Sequence, residues 1–197
     1  MAEDPSNANN PWLERGGVSG EVYDASYTQR SAAGENVHGE ADFVEALGPR
    51  SVLDAGCGTG RVGIELAQRG IDVMGTDIDP RMLERARSKA PQMEWRLGDL
   101  ASVKLDRLFD VIVMAGNVMI FVTPSTEGAV LKNMARHLNP GGRVVAGFQL
   151  GMGRLGLEEY TRLAAEAGLA LEARYSTWDR DPWHGASSYA VSVHKLS

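Results

Sequence analysis

An α/β fold, a parallel sheet doubly wound with helices on both faces, is the fold class this sequence predicts, and three observations carry it. From residue 51 onward, short apolar runs alternate with segments of helical spacing, the pattern of repeated strand–helix units. The first run ends in an acid and a glycine-rich turn, Val52-Leu53-Asp54-Ala55-Gly56-Cys57-Gly58-Thr59-Gly60-Arg61. The run Phe109–Ala115 is apolar apart from Asp110, which suits a strand buried on both faces.

The elements follow in order. Met1 to Pro11, rich in Asn, Asp, Pro and Ser, buries little and reads as a loose tail. Helical spacing covers Glu21–Arg30 and Glu35–Leu47; in the second segment Ala41, Phe43, Val44, Ala46 and Leu47 make one apolar stripe, stopped by Gly48-Pro49. Ser51–Asp54 is the first strand, and Arg61–Arg69 is a helix closed by Gly70. Ile71–Thr76 is the second strand. Pro80 suits a first helical turn, continued by Arg81–Lys89, whose charges read as a solvated face. Met93–Leu97 and Phe109–Ala115 are strands three and four. Thr126–Leu138 is a helix stopped by Asn139-Pro140-Gly141-Gly142, ahead of strand Arg143–Phe148. Leu157–Ala167 is a helix ended by Gly168. Ala170–Trp178 and Ser187–Lys195, separated by a loop with Pro182 and Gly185, suggest a hairpin. In the last strand His194 alternates with Val191 and Val193 and reads as solvated; His137 reads as a partner of a helix C-terminus. Residues 1–15 are thus expected as a disordered tail and 16–197 as one domain, with a helical cover over 16–48 and a core over 49–197.

Composition bounds the function. A chain of 197 residues suits one domain and buries roughly 70% of its unfolded surface. Its net charge of −6 provides no global field for nucleic acid or an anionic membrane. Cys57 is the only cysteine, so no intrachain disulfide forms, which fits a reducing cytoplasm. The N-terminus lacks a signal-peptide pattern. The longest apolar run, Val111 to Val122, is too short for a membrane span and is interrupted by Gly116 and Asn117.

The glycine turn after a strand reads as a nucleotide-cofactor loop, because glycines turn tightly and let a ligand approach the backbone. Asp77, ending the second strand about twenty residues on, is placed to accept from a ribose diol. Gly58-x-Gly60-x-x-Gly63 formally satisfies a dinucleotide pattern, so an NAD-linked oxidoreductase is one reading. Three features oppose it: Asp54 two residues before the first glycine suits a cationic group; the chain is short for a separate catalytic domain; and no tyrosine has a lysine four residues later. After the third strand, Gly98-Asp99-Leu100 offers a carboxylate for an adenine amino group and an apolar side chain for its ring.

Taken together, Val52–Gly60, Gly75–Leu83, Gly98–Leu100, Phe109–Asn117 and Leu138–Val144 resemble the successive motifs of the class I S-adenosylmethionine-dependent methyltransferases, in their small stand-alone form, over about residues 35 to 195. The resemblance implies a Rossmann-like sheet of seven strands, the last antiparallel. It implies that Gly56, Gly58 and Gly60 shape the loop around the methionyl part, with Asp54 near its ammonium group. Asp77 would hold the ribose hydroxyls, Ile78 and Leu100 would flank the adenine, and Asp99 would read its amino group. Ala115 and Gly116 would lie beneath the sulfonium. Cys57 and Met82, inside the same motifs, and Arg61, directly after the first, join this cofactor-binding set, Cys57 as a small packing residue rather than a nucleophile. The chain departs from the family's amino-methylating DNA and protein-glutamine enzymes: Ala115-Gly116-Asn117-Val118 stands where they carry an Asn-Pro-Pro-Tyr type of tetrapeptide. An acid for a catechol-type metal site is also lacking, and no His, Asp and Cys spacing suggests a metal.

The expected activity is methyl transfer from S-adenosylmethionine to a small-molecule acceptor, achieved mainly by alignment, with a general base optional. His38, His184 and Tyr27 are candidate bases. Asn117, Met119, Gln149, Trp178 and Trp183 are candidate acceptor-binding residues, and the acceptor pocket is expected among the N-terminal helices, Asn117-Val118-Met119, Gln149–Gly153 and Trp178–His184. Tyr23, four residues from Tyr27, is a further contact candidate. A module that binds the cofactor without catalysis is the alternative. A monomer or homodimer is expected, with no nucleic-acid or membrane partner.

Overall fold

The computed structural model describes residues 9–14, 19–151 and 155–197. Seven strands form one sheet: β1 Ser51–Ala55, β2 Asp72–Asp77, β3 Glu94–Leu97, β4 Phe109–Met114, β5 Leu138–Gln149, β6 Leu169–Tyr175 and β7 Tyr189–Leu196. Their order is β3-β2-β1-β4-β5-β7-β6. The first five strands pair in parallel and β7 runs antiparallel to both its neighbours. The helices are α1 Pro11–Glu14, α2 Gly20–Ala32, α3 Gly39–Glu45, α4 Arg61–Gln68, α5 Pro80–Lys89, α6 Glu127–Arg136 and α7 Leu157–Glu166, with a 3-10 turn at Val118–Ile120. Chain order reverses between β1 and β4, and in such sheets the crevice at the carboxyl ends of those strands takes the ligand.

Alternation along the strands builds two cores. Leu53, Ala55, Ile112, Met114, Val144 and Phe148 pack with Val130, Leu131 and Met134 of α6 and with Tyr160 and Ala164 of α7. Val52, Val73, Val111, Val113, Val145 and Val193 pack with Phe43 and Val44 of α3 and with Val62 and Leu66 of α4. Each fully buried aliphatic side chain contributes about 1.5–3 kcal/mol, so the sheet is the rigid platform beneath the crevice. Asp79 caps α5, accepting from the Arg81 N–H at 2.9 Å, with Pro80 in the first turn. Among the described residues no helix is long and apolar enough to cross a membrane.

Four local expectations are corrected. Residues 1–8 and 15 of the expected tail lie outside the described residues, but 9–14 are built in. Asn10, only 3% exposed, caps α1 by accepting from the Trp12 and Leu13 N–H groups. The third helix begins at Gly39 rather than Glu35. Asn139-Pro140-Gly141-Gly142 is not a turn ahead of a strand but a bulge within β5, where pairing jumps from Phe109↔Leu138 to Val111↔Arg143. Its Asn139 amide donates to Asp110 at 2.8 Å.

His194 is fully buried, not solvated, because β7 lies between β5 and β6 with α7 packed over it. Its ring meets Tyr160 edge-on at 5.3 Å. Neither ring nitrogen has a partner, nor does the Tyr160 hydroxyl. Burial, aided by the Arg174 charge, lowers its pKa to about 4. His137 does end α6, but as a neutral connector. Its Nε2 accepts from the Leu105 N–H at 3.1 Å, which leaves Nδ1–H to donate to the Asn133 carbonyl at 2.8 Å.

Candidate active site

Glycines at 56, 58 and 60, with φ of 76°, 54° and 82°, bend the chain from β1 into α4. A Cβ on Gly56 would stand 2.6 Å from Val118, so only glycine fits there. Gly58 is different: nothing lies within 4 Å of its Cβ position. Both line a cleft of about 750 Å³, solvent-filled mouth included, within the range of small-ligand sites.

Ten of the sequence-derived cofactor residues line that cleft: Gly56, Cys57, Gly58, Asp77, Ile78, Met82, Asp99, Leu100, Ala115 and Gly116. Asp77, 7% exposed, accepts from the Gly58 N–H at 2.7 Å and the Asp79 N–H at 2.8 Å. These bonds tie the ends of β1 and β2 together and use two of about four lone-pair positions on the carboxylate. Burial raises its pKa to about 6 despite those donors. One oxygen of Asp99 accepts from the Ala101 N–H at 2.8 Å, the turn-forming role open to any Asp there. Burial and the nearby Asp54 and Asp77 push the Cys57 thiol up, which makes it an inert wall rather than a nucleophile.

The other three lie elsewhere. Asp54, 2% exposed, sits under the loop and accepts from the Gly63 N–H at 2.8 Å. Burial raises it to about 7. It braces the first turn of α4 and does not reach the cleft. Gly60 caps α4 with its Cβ position against Trp95. Arg61 turns away: it donates to the Val37 carbonyl at 2.6 Å and grips Glu40 with both terminal nitrogens, at 2.9 and 2.5 Å. Its guanidinium stacks 4.2 Å from the Tyr27 ring centroid.

Of the candidate bases, none lines this cleft. His38 stands before α3, its Nδ1 3.2 Å from Glu65; His184 is exposed on the loop before β7. Tyr27 lines a second cleft with Arg30, Glu40, Trp178, Asp179 and Tyr189 among others. The acceptor candidates are likewise dispersed. Met119 is a core residue at 1% exposure, because the 3-10 turn points it inward. Asn117, left-handed at φ 70°, bridges strand ends: its N–H donates to the Gly147 carbonyl and its Oδ1 accepts from the Gln149 N–H. Gln149 and Trp183 line neither cleft, whereas Trp178 lines the second. The expected Gln149–Gly153 segment falls partly outside the described residues, at 152–153.

The first cleft has walls that the motifs do not announce. Val118, Phe121 and Val122 close one side. Trp12 of α1 closes another, meeting Phe121 edge-on at 5.7 Å and donating its indole N–H to Asp79 at 3.1 Å. Tyr23 of α2 also lines it, with its hydroxyl 4.0 Å from the Cβ position of Gly116. Burial and neighbouring Tyr27 hold the Tyr23 phenol above its ordinary pKa, so it keeps its proton at neutral pH. The signals were an isolated tryptophan in a polar tail and two tyrosines four apart. Neither shows by itself which loop it will meet.

The residues fit an adenosine sulfonium cofactor. Open space over Gly58, an acid at the end of β2, apolar Ile78 and Leu100, and small Ala115 and Gly116 border one continuous cleft.

Comparison with known proteins agrees with this geometry. Residues 52–142 match the family described as methyltransferase domain. A crystal structure of a TehB-like SAM-dependent methyltransferase from Corynebacterium glutamicum is 37% identical over 90% of this chain and 98% of its own, with a TM-score of 0.84. The dTDP-3-amino-3,4,6-trideoxy-alpha-D-glucopyranose N,N-dimethyltransferase of Streptomyces venezuelae is 33% identical over 64% of this chain and 54% of its own length. Magnesium-protoporphyrin O-methyltransferase of Rhodobacter capsulatus is 34% identical over 43% of this chain and 39% of its own. The matches thus span from about two fifths to about half of these curated relatives.

Proposed function

We propose, given that this chain belongs to the S-adenosylmethionine-dependent methyltransferases, that it transfers a methyl group from S-adenosylmethionine to a small-molecule acceptor. Family membership sets the oxidoreductase alternative aside. The observation that carries the reading is the joining of the glycine loop, Asp77 and Asp99 along one cleft whose far end meets Tyr23 and Gly116. The relatives named above act, by their names, on an amino sugar and a porphyrin, which favours a small acceptor here without naming it.

The bound sulfonium supplies an already electrophilic methyl group. The chain's own residues then have three tasks. Asp77 accepts from the ribose hydroxyls, and Asp99 and the apolar pair Ile78 and Leu100 hold the adenine. Gly56, Gly58 and Gly116 let the backbone close on the ligand, while Asp54 keeps the loop in shape from beneath. Tyr23, protonated, donates a hydrogen bond at the transfer end and excludes water. Alignment of acceptor and methyl is the main source of rate, and a buried neutral phenol aligns without taking a proton. Neither His38 nor His184 lines either cleft, which supports transfer without a histidine base.

Calorimetric titration with S-adenosylhomocysteine tests the binding half, and incubation of methyl-labelled cofactor with a small-metabolite extract tests the transfer half. One-site binding and label in a metabolite are expected. Absence of binding at high micromolar ligand removes the reading; binding without label transfer favours a non-catalytic module.

A further inference from the structure

We infer that the second cleft is the acceptor chamber and that it takes a small ammonium-bearing molecule. The inference rests on the methyltransferase reading above and adds a chemical class to it.

Position comes first. Tyr189 pairs with Gln149 at the carboxyl end of β5, the same end of the sheet as the glycine loop. Trp178 lies on Gly147, where a Cβ would stand 2.4 Å from its indole. The Gly147 carbonyl accepts the Asn117 N–H, one residue from Gly116 of the cofactor cleft. Tyr23 and Tyr27, a helical turn apart, have hydroxyls separated by 3.5 Å, Tyr23 on the first cleft and Tyr27 on the second. The two clefts therefore abut across one phenol pair at the transfer end.

Charge comes second. The second cleft measures about 640 Å³, mouth included, the scale of a small molecule. Its charged lining is Arg30, Glu40 and Asp179. Arg30 pairs with Glu35 at 2.7 Å, and Glu40 is neutralised by Arg61. The neighbouring Arg180 turns to Phe43, donating to its carbonyl and stacking on its ring, and Asp181 accepts from Thr177. Only the Asp179 carboxylate, among these, has no partner among the described residues; its Oδ1 lies 3.7 Å from the Cβ position of Gly39 at the start of α3. One unpaired negative charge beside the Trp178 and Tyr189 rings favours a cation, since aromatic walls attract positive charge, and it repels an anion. Asp179 is thus the residue that sets acceptor class.

The test titrates benzylammonium, benzyl alcohol and benzoate, one ring with three charges, into the protein loaded with S-adenosylhomocysteine. Benzylammonium is expected to bind tightest and benzoate weakest. Asp179→Asn, at an exposed position that leaves the core intact, is expected to weaken benzylammonium about three- to fivefold, the scale of a solvent-screened ion pair, and to leave S-adenosylhomocysteine affinity unchanged. Equal or tighter binding of the alcohol or benzoate, no benzylammonium binding, or an indifferent Asp179→Asn overturns the inference. Failure of S-adenosylhomocysteine itself to bind, read beforehand, overturns the underlying functional reading instead.

Discussion

Asp77 couples the cofactor to pH. Its carboxylate is buried, which raises its pKa to about 6, and only the ionised form accepts from both ribose hydroxyls. Affinity for S-adenosylhomocysteine should therefore fall as pH drops through that value, about tenfold between pH 7 and pH 5. Asp77→Asn, which removes the charge but keeps the shape, should weaken binding at pH 7 by about 10- to 100-fold, the loss of charge-assisted bonds. It should also flatten the pH profile. An unchanged constant in a folded variant, or a profile that survives the substitution, contradicts the assignment. Asp54 illustrates what residue type alone does not reveal. Its position before the glycines suited a ligand's ammonium group, yet the side chain falls on the α4 side of β1, where the Gly63 N–H claims it. Strand alternation decides the face, and the sequence motif is silent about whether the loop leaves that carboxylate above or below itself.

At the scale of elements, α1 acts as a wall. Its Trp12 is held by Asp79 and Phe121 and borders the same cleft as Ile78 and Leu100, the apolar pair assigned to the adenine. Tryptophan fluorescence should therefore change when S-adenosylhomocysteine binds. Trp12→Phe should remove that change. Trp12→Ala should raise the dissociation constant about 3- to 10-fold, the worth of an aromatic contact of about 0.5–1.5 kcal/mol. Equal affinity in Trp12→Ala contradicts a role for α1 at the cleft. The strands and helices from β1 to β7 were legible because apolar periodicity and glycine or proline punctuation are local signals. The cleft walls were only partly so: Tyr23 was a contact candidate, but Trp12 and the Phe121-Val122 pair come from distant parts of the chain, and their meeting is a product of tertiary packing. His38 and His184 line neither cleft for the same reason, since nearness to the site in the chain's order did not bring either ring to it.

For the whole molecule, the placement of β7 inside the sheet has a thermodynamic consequence. His194 is neutral and unpartnered in the fold, with a pKa lowered to about 4, against an ordinary value of 6.5. The unfolded chain takes up that proton first as pH falls, so this residue's share of stability is intact above pH 6.5 and is lost between 6.5 and 4. The loss reaches about 3 kcal/mol, from 1.36 kcal/mol per pKa unit. His194→Leu should remove this part of the acid sensitivity, read as a smaller drop in the urea midpoint between pH 7 and pH 4.5 than in the wild type. Equal drops in both proteins contradict it. The sheet order β3-β2-β1-β4-β5-β7-β6 agrees with the expected seven strands and reversed last strand. The His194 side chain that alternation suggested as solvated lies buried on an inner strand, because topology, not local pattern, decides which strand lies inside.

The most direct measurement of the cofactor assignment is a crystal structure of the complex with S-adenosylhomocysteine. The expected result is a nucleoside whose ribose hydroxyls meet Asp77, whose adenine lies between Ile78 and Leu100, and whose sulfur ends near Gly116 and Tyr23. A nucleoside bound in the second cleft, or lying on the first without touching Asp77, would contradict it.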